Sequence, residues 1–235
     1  MSINNIIEKI IKQSDLREFF SKYFSFYLAL FISPIAIKLK ISPNLITVSM
    51  IPVAIIGNYF LLLNQNINGI LLVCGFYILL NVLDTVDGQV ARYLKKTSKL
   101  GKNLDYLSHF IADNILVISL IFFSLKNLSL EKYQIYAAFL FFVIYSVNFY
   151  IKFSFINIKK KTYNILRKNI YLYYIKDTLN LNGFTHIFPL IYFIANILGL
   201  NIFDNEFVYI ILFYLVIFFT SNLIKLSLNI KFLSD

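Results

Sequence analysis

Residues 84–110 read DTVDGQVARYLKKTSKLGKNLDYLSHF. Three aspartates, one arginine, four lysines and a histidine gather here in a chain that is otherwise mostly apolar. Asp84 and Asp87 are three residues apart and share one face of a helix; Asp105 and His109, four apart, share a face of the next. Two antiparallel helices meeting at the basic stretch between them can bring all four side chains to one rim. Carboxylates grouped at membrane depth are costly unless something positive joins them. A divalent cation meets that need, and oxygen donors of this kind suit Mg²⁺ or Mn²⁺.

The surroundings call for a bilayer. Of 235 residues 59% are hydrophobic and 14% charged, with a mean hydropathy of +0.71. A soluble domain of this size cannot hide so much apolar surface. With 25 Phe, 17 Tyr and no Trp, an interfacial aromatic belt must be built from Phe and Tyr. The net charge is +10, but the basic residues fall between apolar runs, which points to anionic headgroups or phosphorylated substrates and not to nucleic acid. The single cysteine, Cys74, lies in an apolar run and reads as a small buried residue. The first 23 residues mix acids and bases, and no cleavage pattern follows, so no signal peptide is expected.

Residues 3–22 place Ile3, Ile6, Ile7, Ile10 and Ile11 at helical spacing between charges, as in an amphipathic helix lying on a membrane. Residues 24–37 are apolar but short and broken by Pro34, as in an interfacial or partly inserted helix. Six longer runs follow, at 45–64, 67–92, 104–125, 133–156, 183–201 and 206–226. Gly and Asn turn signals such as NQNING at 64–69 separate several of them. The expected fold is an all-α integral membrane protein: interfacial helices over 1–44, then a six-helix membrane domain over 45–235 carrying the site at 84–109. Lysine and arginine number six in 1–44, five in 92–102, seven in 152–176 and two in 225–231, against only Lys126 and Lys132 in the alternate loops. That bias puts both termini and the quoted segment in the cytosol.

Around the acidic groups, Gly88 removes a side chain after Asp87 and opens the helix backbone to a substrate. Ala91, one turn on, is also small. Arg92 offers a planar donor to phosphate oxygens, and Gly101 permits the turn into the third span. The sum is a site for a metal-bound diphosphate.

The pattern Asp84-x2-Asp87-Gly88-x2-Ala91-Arg92-x8-Gly101-x3-Asp105-x3-His109 resembles the signature of the CDP-alcohol phosphotransferases (CDP-alcohol phosphatidyltransferases), D-x2-D-G-x2-A-R-x8-G-x3-D-x3-D. Only the last position differs. SPNLIT at 42–47 also resembles the Pro-Asn-x-x-Thr stretch that members carry before their first span. The resemblance implies a six-helix membrane enzyme that uses a divalent metal. It would move a phosphoalcohol group from a CDP-alcohol to an acceptor hydroxyl and release CMP, in the synthesis of phospholipids or related phosphodiesters. It further implies Asp84, Asp87, Asp105 and His109 at the metal, and Asp84, Gly88, Ala91, Arg92 and Gly101 at the CDP-alcohol. CDP-diacylglycerol, the commonest donor among bacterial relatives, is the expected donor, and a bacterial cytoplasmic membrane the expected setting. Members often dimerise, so a homodimer is one candidate assembly.

Where the family's last Asp looks like both ligand and general base, this chain has His109. Neutral imidazole can fill either role, at the loss of one negative charge from the metal site. Asp113, one turn further on the same face, is placed to accept the ring N–H and orient it. A competing expectation is a catalytically inactive relative kept as a membrane binding or assembly partner. A transporter is disfavoured because the ionisable groups sit at the rim, away from mid-membrane. His186, the lysines at 159–161, Arg167, Lys168 and IYLYYI at 170–175 read as interfacial or positive-inside features.

Overall fold

The structure, a computed structural model, describes residues 3–13, 25–64, 66–129, 181–197 and 208–218, together with isolated positions at 136, 139, 140, 142, 143, 146 and 220. The expectations for 14–22, for most of the fourth span, and for 159–161, Arg167, Lys168 and 170–175 lie outside the described residues. The elements are α1 (Ile3–Gln13), α2 (Phe26–Lys38), α3 (Pro43–Leu63), α4 (Ile67–Tyr93), α5 (Lys99–Asn127), α6 (Leu181–Ile197) and α7 (Val208–Phe218), and no strand occurs among the described residues. At 21, 27 and 29 residues, α3, α4 and α5 are long and apolar enough to cross a bilayer, which takes about 20 residues. They coincide with the first three expected spans. The described parts of the fifth and sixth, α6 and α7, are shorter apolar helices.

Local chemistry sets where these helices begin and end. Ser42 caps α3, its Oγ accepting the Leu45 N–H at 3.2 Å, with Pro43 in the first turn where no N–H is needed. Asn66 caps α4 by accepting the Gly69 N–H at 3.1 Å, and Ser98 caps α5 by accepting that of Gly101 at 2.9 Å. Both α2 and α4 close in the same way. Ile41 N–H reaches the Ala36 carbonyl and Lys96 N–H the Ala91 carbonyl, with Lys40 (φ 56°) and Lys95 (φ 55°) in the left-handed conformation.

α3 packs along both α4 and α5, while α1, α2 and α6 flank α4. Close approach is earned with small residues, as expected where lipid supplies no contrast in hydrophobicity. Ala29, Ser33 and Ala36 are buried along one face of α2, and Ser33 Oγ donates to Gln89 Oε1 of α4 at 2.7 Å. A Cβ at Gly57 of α3 would fall 2.6 Å from Phe76 Cβ on α4. One core runs through α3 to α7 and includes Met50, Tyr77, Leu116, Phe123, Phe188 and Ile211. The outward faces carry exposed Phe31, Leu45, Ile55, Tyr59, Leu63 and Phe213, a surface suited to acyl chains.

Two expectations need correction. Pro34 does not break its segment: α2 continues through it, with both Ser33 and Pro34 buried. The missing N–H frees only one carbonyl of the preceding turn, and packing holds the helix together around it. The described part of the expected amphipathic helix, α1, also packs within the protein. Ile6 and Ile10 are buried against Phe26 and Leu30, Lys9 stands 5.2 Å over the Tyr93 ring, and only Ile3 and Ile11 of the stripe are exposed. Gly101 does not form the turn into the third span. It lies inside the first turn of α5, and the left-handed Lys95 reverses the chain earlier.

Two glycines of α4 should therefore respond in opposite ways. A Cβ at Gly69 would meet the Asn64 carbonyl oxygen at 1.9 Å, whereas one at Gly75 meets nothing within 4 Å. Gly69→Ala is expected to lower the thermal midpoint in detergent by several degrees. Gly75→Ala should leave it unchanged or raise it, by up to about 1 kcal/mol of helix propensity.

Candidate active site

The last turns of α4 and the first turns of α5 bring together groups that lie far apart in sequence. His109 Nε2 stands 3.2 Å from Asp84 Oδ1 and 3.4 Å from Asp105 Oδ1, with all three side chains half-buried. Ligand atoms of Asp84, Asp105 and His109 lie within 4.8 Å of one another, close enough to share one cation. Two carboxylates and an imidazole form a mixed oxygen and nitrogen donor set that fits a small divalent ion. An imidazolium N–H could also hold the two carboxylates together, though one proton serves only one of them at a time.

Asp87 shares the α4 face but is committed elsewhere. It is buried, and its Oδ2 accepts the Thr47 hydroxyl of α3 at 2.5 Å; the same hydroxyl lies 3.1 Å from the Pro43 carbonyl. Of the four acidic and imidazole groups expected at one rim, three therefore form the tight cluster. The fourth lies within Coulombic reach of them, tied to α3. The space above Gly88 is taken by a side chain of the same helix. A Cβ there would lie 3.2 Å from Arg92 Nη1, so the guanidinium folds back over the bare backbone. Ala91 contributes its carbonyl to the close of α4. At Gly101 a Cβ would sit 3.0 Å from Asn44 Oδ1, so this glycine lets the starts of α3 and α5 meet. Asp113 follows His109 by one turn and lies within Coulombic reach of both His109 and Tyr77. His186, expected at an interface, is buried on α6. Cys74 is a buried free thiol, as expected.

Thr47 and Asn44 are the site components that motif spacing alone passed over. Their signal was present in SPNLIT, since a Thr four residues after a helix-opening Pro faces along the helix toward whatever packs beside its first turns. What it faces, Asp87, follows from the α3–α4 contact. Removing only the hydroxyl, by Thr47→Val, leaves a buried carboxylate short of a donor. The expected loss is about 1–3 kcal/mol of stability, seen as a lower melting point in detergent, while Thr47→Ser should keep most of it.

Similarity to known proteins agrees with this geometry. No curated protein and no solved structure matches the chain. A family profile described as CDP-alcohol phosphatidyltransferase matches residues 40–221, from the approach to α3 to just beyond α7, and takes in the whole acidic cluster. The α3–α5 unit, with its acidic rim and its Pro-Asn-x-x-Thr opening, thus lies inside the matched region, and the chain belongs to the CDP-alcohol phosphatidyltransferase family.

Proposed function

We propose that this protein transfers a phosphoalcohol group from a CDP-alcohol to an acceptor hydroxyl, releasing CMP, with a divalent cation held at the α4–α5 rim. The observation that carries this reading is the convergence of Asp84, Asp105 and His109 within one coordination sphere, in a chain whose family transfers such groups. Asp84 and Asp105 would hold the cation, with Asp87 beside them. When bound, the cation supplies charge neutralisation and alignment for the diphosphate. Arg92 adds a fork of donors for phosphate oxygens on the same helix. His109 presents Nε2 to the reacting zone and takes the proton of the acceptor hydroxyl, which attacks the β-phosphorus in line while the bond to CMP breaks. The same nitrogen cannot ligate the cation and take that proton at one moment. Asp113 is the group one turn away that can accept the Nδ1 proton and orient the ring.

The imidazole nitrogen favours Mn²⁺ over Mg²⁺, because Mg²⁺ takes nitrogen donors reluctantly. CDP-diacylglycerol is the proposed donor. The positive-inside bias supports a cytosolic site in a bacterial cytoplasmic membrane, with six spans and cytosolic termini. A homodimer is the proposed assembly. An inactive relative is the second reading, favoured by one observation: Nε2 lies within reach of both carboxylates, where an imidazolium could stand in for the cation.

The test is CMP release by purified protein in detergent with Mn²⁺ or Mg²⁺, CDP-diacylglycerol or CDP-choline, and a panel of acceptors. Release should stop with chelator and in Asp105→Asn. His109→Ala should lose about 10²–10⁴-fold at saturating metal if the ring is the base. Recovery of the variant on raising the metal concentration would make His109 a ligand only. CDP-alcohol binding without release from any pair would favour the inactive relative.

A further inference from the structure

We propose that Tyr77 is a positioning residue that sets the distance between the two helices holding the cation, and so tunes metal affinity from inside the apolar core. The inference rests on the metal-dependent reading above and extends it to a residue outside the signature.

Tyr77 is 3% exposed, in the middle of α4. Its hydroxyl donates to the Ala112 carbonyl of α5 at 2.5 Å and accepts from Asn58 Nδ2 of α3 at 3.0 Å. Asn58 is itself buried, and its amide also donates to the Ala54 carbonyl at 2.8 Å. One phenol therefore ties three helices together away from water, adding directed hydrogen bonds to the surrounding apolar contacts.

Its register links it to the site. Seven residues separate Tyr77 from Asp84 on α4, and seven separate Asp105 from Ala112 on the antiparallel α5. Both intervals are two helical turns, so the Tyr77–Ala112 bridge lies directly beneath the Asp84–Asp105 pair, about 10 Å down the axis. α4 and α5 approach each other less closely along their backbones than either approaches α3. Side chains cross that gap: Tyr77 to Ala112 below, and Asp84 to His109 above. The lower crossing then fixes the register and spacing in which the upper one can close on an ion. Asp113, the proposed ring-orienting carboxylate, is the residue after Ala112 on α5 and lies within Coulombic range of the same phenol.

Tyr77→Phe keeps the ring and its packing but deletes the bridge. Mn²⁺ alone is titrated into detergent-solubilised protein, with free Mn²⁺ followed by its EPR signal. The expected result is about tenfold weaker binding, the low end for groups that orient metal ligands, with turnover restored at saturating Mn²⁺. Cys74→Ala is the packing control: Cys74 is fully buried one turn from Tyr77 and makes no crossing, so its loss should lower the melting point and leave Mn²⁺ affinity unchanged. If Tyr77→Phe does not fold, Asn58→Ala should show a smaller loss of affinity, about threefold, and an unchanged value there overturns the proposal. Wild-type affinity in Tyr77→Phe, or equal losses in Tyr77→Phe and Cys74→Ala, overturns the strut while leaving the metal site intact. Absence of Mn²⁺ binding in the wild type, indistinguishable from Asp105→Asn, overturns the metal reading and the strut together.

Discussion

A carboxylate set among apolar helices must be met by a donor or a positive charge, or it will not stay ionised or will not stay inside. In this protein each acid of the α4–α5 rim is answered by a specific neighbour. Asp84 and Asp105 converge on His109 Nε2, and Asp87 takes the Thr47 hydroxyl from a third helix. These pairings require α3 to lie against both α4 and α5, α5 to return antiparallel to α4, and the turn between them to be short. The rest of the bundle supplies those conditions.

The supply is mostly a matter of small residues and helix ends. Ala29, Ser33 and Ala36 bring α2 against α4, and Gly57 lets α3 approach Phe76. Ser98 starts α5 almost as soon as Lys95 has closed α4, so the two polar ends stay together. Gly101 leaves room for the Asn44 side chain where the opening turns of α3 and α5 meet. Each device acts over a few ångströms, and together they fix where the acidic side chains meet.

The same arrangement gives His109 its place at the rim. The ring spans the gap between α4 and α5, its Nε2 facing carboxylates from both helices. Compared with a third carboxylate, an imidazole in that position would offer a cation one negative charge fewer and can carry a proton. The chain belongs to the CDP-alcohol phosphatidyltransferase family, and in the proposed reaction a cation would serve the diphosphate and the ring the attacking hydroxyl.

Much of this was legible in the chain. Long apolar runs and their breaks located α3, α4 and α5 to within a few residues, because hydropathy and capping are local properties that a bilayer enforces strongly. Spacings of three and four residues placed Asp84 with Asp87 and Asp105 with His109, because helical periodicity is also local. The sequence could not say which of these side chains would find one another. That Asp87 turns to Thr47, that Arg92 lies over Gly88, that Gly101 serves contact instead of a turn, and that Tyr77 bridges to Ala112 all depend on interhelical distance and rotation. Pro34 makes the same point from the other side: the local rule predicted a break, and packing against α4 overrode it. Sequence determined the helices and the chemistry they carry; tertiary structure decided the pairings, because a hydrogen bond or shared ion exists only when two backbones far apart in the chain are held within a few ångströms.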